Sequence, residues 1–398
     1  MKVGIQDARG VAAIDRLTAL ERGDEKPTRR ILVNMAQHYR RPLLAFYLSA
    51  PPRRDDRGPD FRTLPGARSP ETDALVNALV RNLRSRQNMV RAALEAEDEA
   101  EPPGFVGTLM SNGIGGTGTE SLRRILRHRA EAARLSQRAS RAMAQVFGDD
   151  VNAASYHAQP NAEHAFRLLR SRTEDAGVFV LLKGDLGSHH TALDVETFRG
   201  LAIADEVAPF VVINDNDSKA AWSFTLLHEL THLLLGQTGF SGGNPGTGAE
   251  IEEFCDNVAA EWLLPMWMLD EIEIERGQNL AEQKRHIGEF ASEHNLSRTM
   301  VAYRLLRADR IARATFERCR ADFRMQWRQL RDRERARART SEGGPDYYAV
   351  RRHRLGEGLL RFTNRMVDSR ALSTTKAARI LGVKPAQVGK VLRPARAR

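Results

Sequence analysis

Leu226-Leu227-His228-Glu229-Leu230-Thr231-His232-Leu233-Leu234-Leu235 is the stretch whose reading decides the fold. Its leucines recur at helical spacing, so Leu226, Leu227, Leu230, Leu233 and Leu234 would bury one helix in a core. His228 and His232 fall on one face of that helix, a turn apart, where both imidazoles reach a single metal ion. Glu229 sits beside the first ligand, placed to take a proton from a water at the ion. A plainer reading stands next to this one: a buried helix with two hydrogen-bonded histidines and a solvated glutamate.

A third ligand decides between the two readings, because catalytic zinc usually has three protein ligands and one open position. The run from Glu250 to Pro265 offers one. Ile251, Phe254, Cys255, Val258, Ala259, Trp262 and Leu263 recur at helical spacing, and Pro265 closes the run. Glu252 and Asp256 lie one turn apart on the same face. Glu252 is the candidate third ligand, and Asp256 would accept a hydrogen bond from a ligand histidine's other ring nitrogen, fixing its tautomer. The glycine-, serine- and asparagine-rich stretch from Gly236 to Gly248 reads as a loop that folds the two helices back as a pair.

His228-Glu229-x-x-His232, nineteen further residues, then Glu252-x-x-x-Asp256 resembles the gluzincin arrangement. The wider pattern is similar to the ImmA/IrrE family of bacterial and phage metallopeptidases. It runs from Phe224-Thr225-Leu226-Leu227-His228-Glu229-Leu230-x-His232 to Glu252-x-x-Cys255-Asp256-x-x-Ala259-Ala260-x-x-Leu263-Leu264-Pro265. Leu227 and Thr231 depart from the smaller residues usual there, and Asp256 stands where relatives often have Asn. The resemblance implies one zinc ion held by His228, His232 and Glu252, with Glu229 as the catalytic base. Two imidazoles and a carboxylate suit zinc best, with manganese the other candidate. It also implies a narrow protein substrate, a DNA-binding repressor or antitoxin-like protein whose cleavage relieves repression of stress or mobile-element genes. A toxin–antitoxin or phage-defence component with the same chemistry is a further reading. The rival is a non-enzymatic DNA-binding regulator in which the metal only staples the fold.

The rest of the chain frames that motif. Its 398 residues suffice for two or three domains. The formal charge of +10, with Arg far outnumbering Lys, points to nucleic acid or an acidic partner, or equally to a generally arginine-rich surface. Cys255 and Cys319 are the only cysteines, which excludes a disulfide framework and suggests a reducing compartment. With no membrane-length apolar run and no signal-peptide pattern, a cytoplasmic protein is expected.

Residues 1–52 resemble the second half of an Xre-type helix-turn-helix: a turn from Leu20 to Thr28, a helix from Arg29 to Tyr39, then Pro51-Pro52. This is either a reduced DNA reader or a helical docking module. A linker and helical segment follow over 53–120, with a Pro-, Arg- and Asp-rich start and a helix near 71–98. The glycine-rich piece Gly113 to Gly118 lacks the Gly-Lys-Ser/Thr ending of a phosphate loop and reads as a turn. Residues 121–310 are the expected peptidase domain. Its helices lie near 121–147 and 161–170, its strands at 178–182, 200–203 and 209–214, and the motif helix at 219–235. By the family resemblance, the strand edge from Val211 to Asn214 would border the cleft and pair with an extended substrate. His189-His190 read as solvated loop residues, with a transition-state donor as the alternative.

Helix, turn and helix recur over 290–305, with Ser297 as cap. Residues 311–398 form an expected basic helical C-terminal domain, broken at Gly343-Gly344-Pro345. It carries a small helix-turn-helix-like unit near 373–384 and a basic tail ending at Arg398, either a packing unit or a DNA contact. The fold class expected is therefore α+β: mostly helical, with a small zincin-like sheet packed on the motif helix and flanking helical modules.

Overall fold

Runs of four apolar residues build the centre of the molecule: β1 (Phe179–Leu182), β2 (Gly200–Ile203) and β3 (Phe210–Ile213), every residue buried. A continuous apolar run, rather than an alternating one, marks a strand covered on both faces. The computed structural model describes residues 13–38, 43–49, 70–111, 119–187, 191–241, 249–274, 278–340 and 346–393. The expected linker up to residue 69, the glycine-rich piece 113–118, His189-His190, the break at 343–345 and the tail beyond 393 lie outside them.

With a short fourth strand, β4 (Gly239–Ser241), the strands form one mixed sheet in the order β1-β3-β2-β4. β1 and β3 run parallel, with Phe179 opposite Phe210. β2 is antiparallel to both β3 and β4, with Gly200 opposite Ile213 and Ser241. The fold is α+β and mostly helical, as its sequence implies. Two differences from the sequence reading concern the sheet. β3 is hydrogen-bonded on both sides, so Val211–Ile213 has no free edge for a substrate strand. Strand order is a tertiary property, and the most apolar strand takes the centre because it gains most from cover on every side. The second difference is β4, three residues inside the stretch read as a loop.

Alternation sorts the strand residues between two cores. Val180, Leu182, Ala202, Val211 and Ile213 face the motif helix (Lys219–Leu234) and the helix that follows it (Ala249–Leu263). Phe179, Leu181, Leu201, Ile203, Phe210 and Val212 face the long helix Pro70–Ala96 and the C-terminal helices Tyr347–Leu355, Glu357–Asp368 and Thr374–Leu381. The expected 121–147 helix is two, Thr119–Arg127 and Arg129–Phe147, because His128 is extended between them. Asn295, at φ 61°, makes the turn before Ser297, whose hydroxyl caps the helix Arg298–Arg307 by accepting from Met300 N at 3.1 Å. The basic helix Arg313–Thr340 reaches back over the domain, where Arg331 donates to the carbonyl oxygen of Asn216 at 2.7 Å. Toward the N-terminus, helices Ala13–Arg22 and Arg29–His38 gather a small cluster of their own around Met35. No described helix is long and apolar enough to cross a membrane.

Candidate metal centre

The motif helix is apolar nearly all round, and from Thr225 to Leu234 every side chain is buried. Leu226, Leu227, Leu230, Leu233 and Leu234 are fully enclosed. Each gains about 1.5–3 kcal/mol over an exposed leucine, so a rotation that turned the histidines outward would cost more than any polar contact could return. That packing fixes where the polar residues point. His228, Glu229 and His232 are buried with the leucines but converge on the helix at 249–263.

There they meet Glu252. Its two carboxylate oxygens lie 3.3 Å from His228 Nε2 and 3.3 Å from His232 Nε2, and the two imidazole nitrogens are 3.2 Å apart. Donors held about 2.1 Å from one tetrahedral ion stand about 3.4 Å from each other, so each of these three spacings matches that between ligands of one ion. Two ring nitrogens this close cannot both carry a proton directed at the other, and a shared cation resolves the conflict. The donor set therefore fits a divalent metal ion. On the far side of the ring, His228 Nδ1 donates to Asp256 Oδ1 at 2.9 Å, the arrangement that orients a ligand imidazole.

The electrostatics carry the same sign. Burial would raise the Glu252 carboxyl, but hydrogen bonds and charge from His228 and His232 hold it well below the ordinary carboxylate range. Burial would likewise strip His228 of its proton, yet Asp256 and Glu252 together raise the imidazole well above its usual value. Two carboxylates and two imidazoles thus create a pocket that calls for positive charge.

Three neighbours escaped the sequence reading. The buried Cys255 thiol, one turn from Glu252, lies within 4.8 Å of the His228 and His232 ligand atoms and so defines an alternative triad. Glu252 brings one carboxylate oxygen to 3.3 Å from each of the two nitrogens. Burial, and then Glu252, Asp256 and Glu229, push the thiol well above its normal value and keep it neutral. The other two neighbours are glycines. A Cβ at Gly200 would collide with Glu229 Oε1, and one at Gly239 would stand 2.8 Å from His232 Nδ1. β2 and β4 can approach the motif helix this closely only because both positions lack a side chain. The one-turn spacing from Glu252 was the only local signal for Cys255; the glycines gave none.

A His-Glu-x-x-His helix under a small mixed sheet, faced by an acidic helix, is the architecture of a class, the metallopeptidases that use a helical histidine pair. Residues 174–306, about a third of the chain, match the family model described as the IrrE N-terminal-like domain of peptidase family M78. Over those residues the chain is similar to the peptidase domain of the ImmA/IrrE metallopeptidases. No curated protein and no solved structure matches it.

Proposed function

We propose that the protein is a zinc-dependent endopeptidase whose ion is held by His228, His232 and Glu252. The observation that supports this reading best is the convergence of two imidazoles and a carboxylate from two helices, each imidazole nitrogen 3.3 Å from one carboxylate oxygen and the nitrogens 3.2 Å apart. When bound, zinc lowers the pKa of water toward neutrality and polarises a substrate carbonyl. Glu229 is the general base: its carboxylate takes the proton of the attacking water and returns it to the leaving amine. Asp256 holds the His228 ring, and Gly200 leaves the space that Glu229 occupies. The helix buried beneath all three keeps their spacing fixed.

For the substrate, we propose a regulatory protein, a repressor or antitoxin-like DNA-binding chain, cut in the cytoplasm, where Cys255 and Cys319 remain the free thiols seen in the structure. The arginine-rich helix Arg313–Thr340 and the C-terminal helices are the surfaces we assign to DNA contact. Glu229→Gln tests the chemistry. The variant should keep stoichiometric zinc by elemental analysis. Cleavage should fall roughly 10²–10⁴-fold, read as new protein N-termini in cells making either form. The same N-termini at undiminished yield from Glu229→Gln would remove Glu229 from the mechanism.

A further inference from the structure

Across the sheet from the histidines lies a second polar cluster, rich in cations, with Arg86 buried at its centre. Arg86, on the helix Pro70–Ala96, is only 4% exposed, and its buried Nε has no hydrogen-bond partner among the described residues. Its Nη2 lies where a Cβ on Gly382 would fall, beside Arg351 Nη2. Gly382, at φ +63°, ends the helix Thr374–Leu381 in the left-handed conformation that lets both guanidinium groups approach. Arg351 donates to the carbonyl oxygens of Leu381 and Gly382 at 2.8 and 2.5 Å, while its buried Nε stays unpartnered. Lys183, the half-buried residue after β1, is near enough to feel the charge of both guanidinium groups.

The nearby acids are already engaged. Arg354 takes Asp185 at 3.2 Å and Asp215 at 2.6 Å. Asp185 also accepts from Gly187 N, and Asp215 from Gly184 N. Buried Arg86 and half-buried Lys183 and Arg351 therefore have no carboxylate bonded to them among the described residues. Their repulsion is expressed in their acidities. Burial, and then Arg86 and Arg351, lower Lys183 to about 7 against the pull of Asp185. Burial, and then Arg351, bring Arg86 down to about 10. A buried charge without a partner is among the costliest features a fold can carry, and water cannot supply the missing counter-charge.

We propose that Arg86, Lys183 and Arg351 form a binding site for the phosphoryl group of a small phosphorylated solute. Two guanidinium forks and an ammonium match a tetrahedral dianion better than a monovalent carboxylate. The location agrees: Lys183 and Asp215 lie just past the carboxyl ends of the parallel pair β1 and β3, where open sheets bind ligands. Because the three cations come from the 70–96 helix, the sheet and the C-terminal helices, the anion would tie these segments together.

The full-length chain should be titrated calorimetrically with inorganic phosphate and, separately, with adenosine monophosphate, in sodium chloride at matched ionic strength. Saturable one-site binding is expected with at least one of the two; the tighter titrant identifies free phosphate or an ester as the preferred form. Affinity should fall at least about tenfold in Arg86→Met and in Lys183→Gln, since each removes a charged hydrogen-bond donor. At hundredfold excess over Kd, the bound anion should raise the thermal midpoint by about 3 °C. Without the anion, Arg86→Met should melt higher than the native chain, which a guanidinium serving only to pack would not do. Lys183→Gln, at a partly exposed position, carries the affinity test if Arg86→Met does not fold. Absence of saturable binding with either titrant, equal binding by both variants, or an equal midpoint rise with chloride would overturn the proposal.

Discussion

Two polar clusters flank the same four-stranded sheet, and they differ in how their charge is met. On one face, His228, His232, Glu252 and Asp256 interlock: every ring or carboxylate has a partner of opposite tendency within 3.3 Å. On the other, Arg86, Lys183 and Arg351 gather with the neighbouring acids committed to Arg354. The first is a pocket shaped for a cation, and its residues come from two adjacent helices. The second is short of negative charge, and its residues come from three distant stretches. Burial alone does not make a polar group functional; what distinguishes the clusters is which charge each still lacks.

The comparison is tested most strongly by pH. Lys183 is brought down to about 7 when folded, against an ordinary lysine value of 10.5. Between those values the unfolded chain holds a proton that the folded chain has released, so stability rises with pH across that window and is flat below it. After discounting for partial exposure, the rise should be about 2–3 kcal/mol. Denaturation midpoints between pH 7 and 10 should show it, and Lys183→Gln should flatten the slope. A native chain with no slope in this window would place Lys183 in an ordinary, solvated setting.

A smaller effect probes the other face. Asp256→Ala removes the acceptor for His228 Nδ1 while leaving all three donor atoms. Zinc affinity, measured by competition with a chelator, should fall roughly 10–100-fold. Unchanged affinity would reduce Asp256 to a bystander. The phosphate titration of this variant should match the native chain, since the clusters lie on opposite sides of the sheet.

Much of the first cluster was legible in the sequence because its signals are local. A helical leucine period, histidines four apart and an acidic residue in the following helix state their geometry within forty residues. The buried strands were legible as unbroken apolar runs, and Ser297 as a cap before Met300. What stayed hidden depends on which segment packs where. The central position of β3 follows from the order of strands, which no local pattern encodes. β4 is three residues beside glycines, too short for a period. Gly200 and Gly239 gain meaning only when β2 and β4 press on Glu229 and His232. The cationic cluster was hidden for the same reason: residues 86, 183 and 351 share no motif and meet only through the fold.

The most direct measurement is metal content with a spectroscopic reading of its ligands, because Glu252 and Cys255 are rival third donors one turn apart. Cobalt-substituted native protein, Glu252→Gln and Cys255→Ala should be compared by elemental analysis and visible absorption. The account predicts one ion per chain in the native protein and in Cys255→Ala, no thiolate-to-cobalt charge-transfer band in either, and strongly reduced loading in Glu252→Gln. Full loading of Glu252→Gln together with a thiolate band that disappears in Cys255→Ala would contradict it.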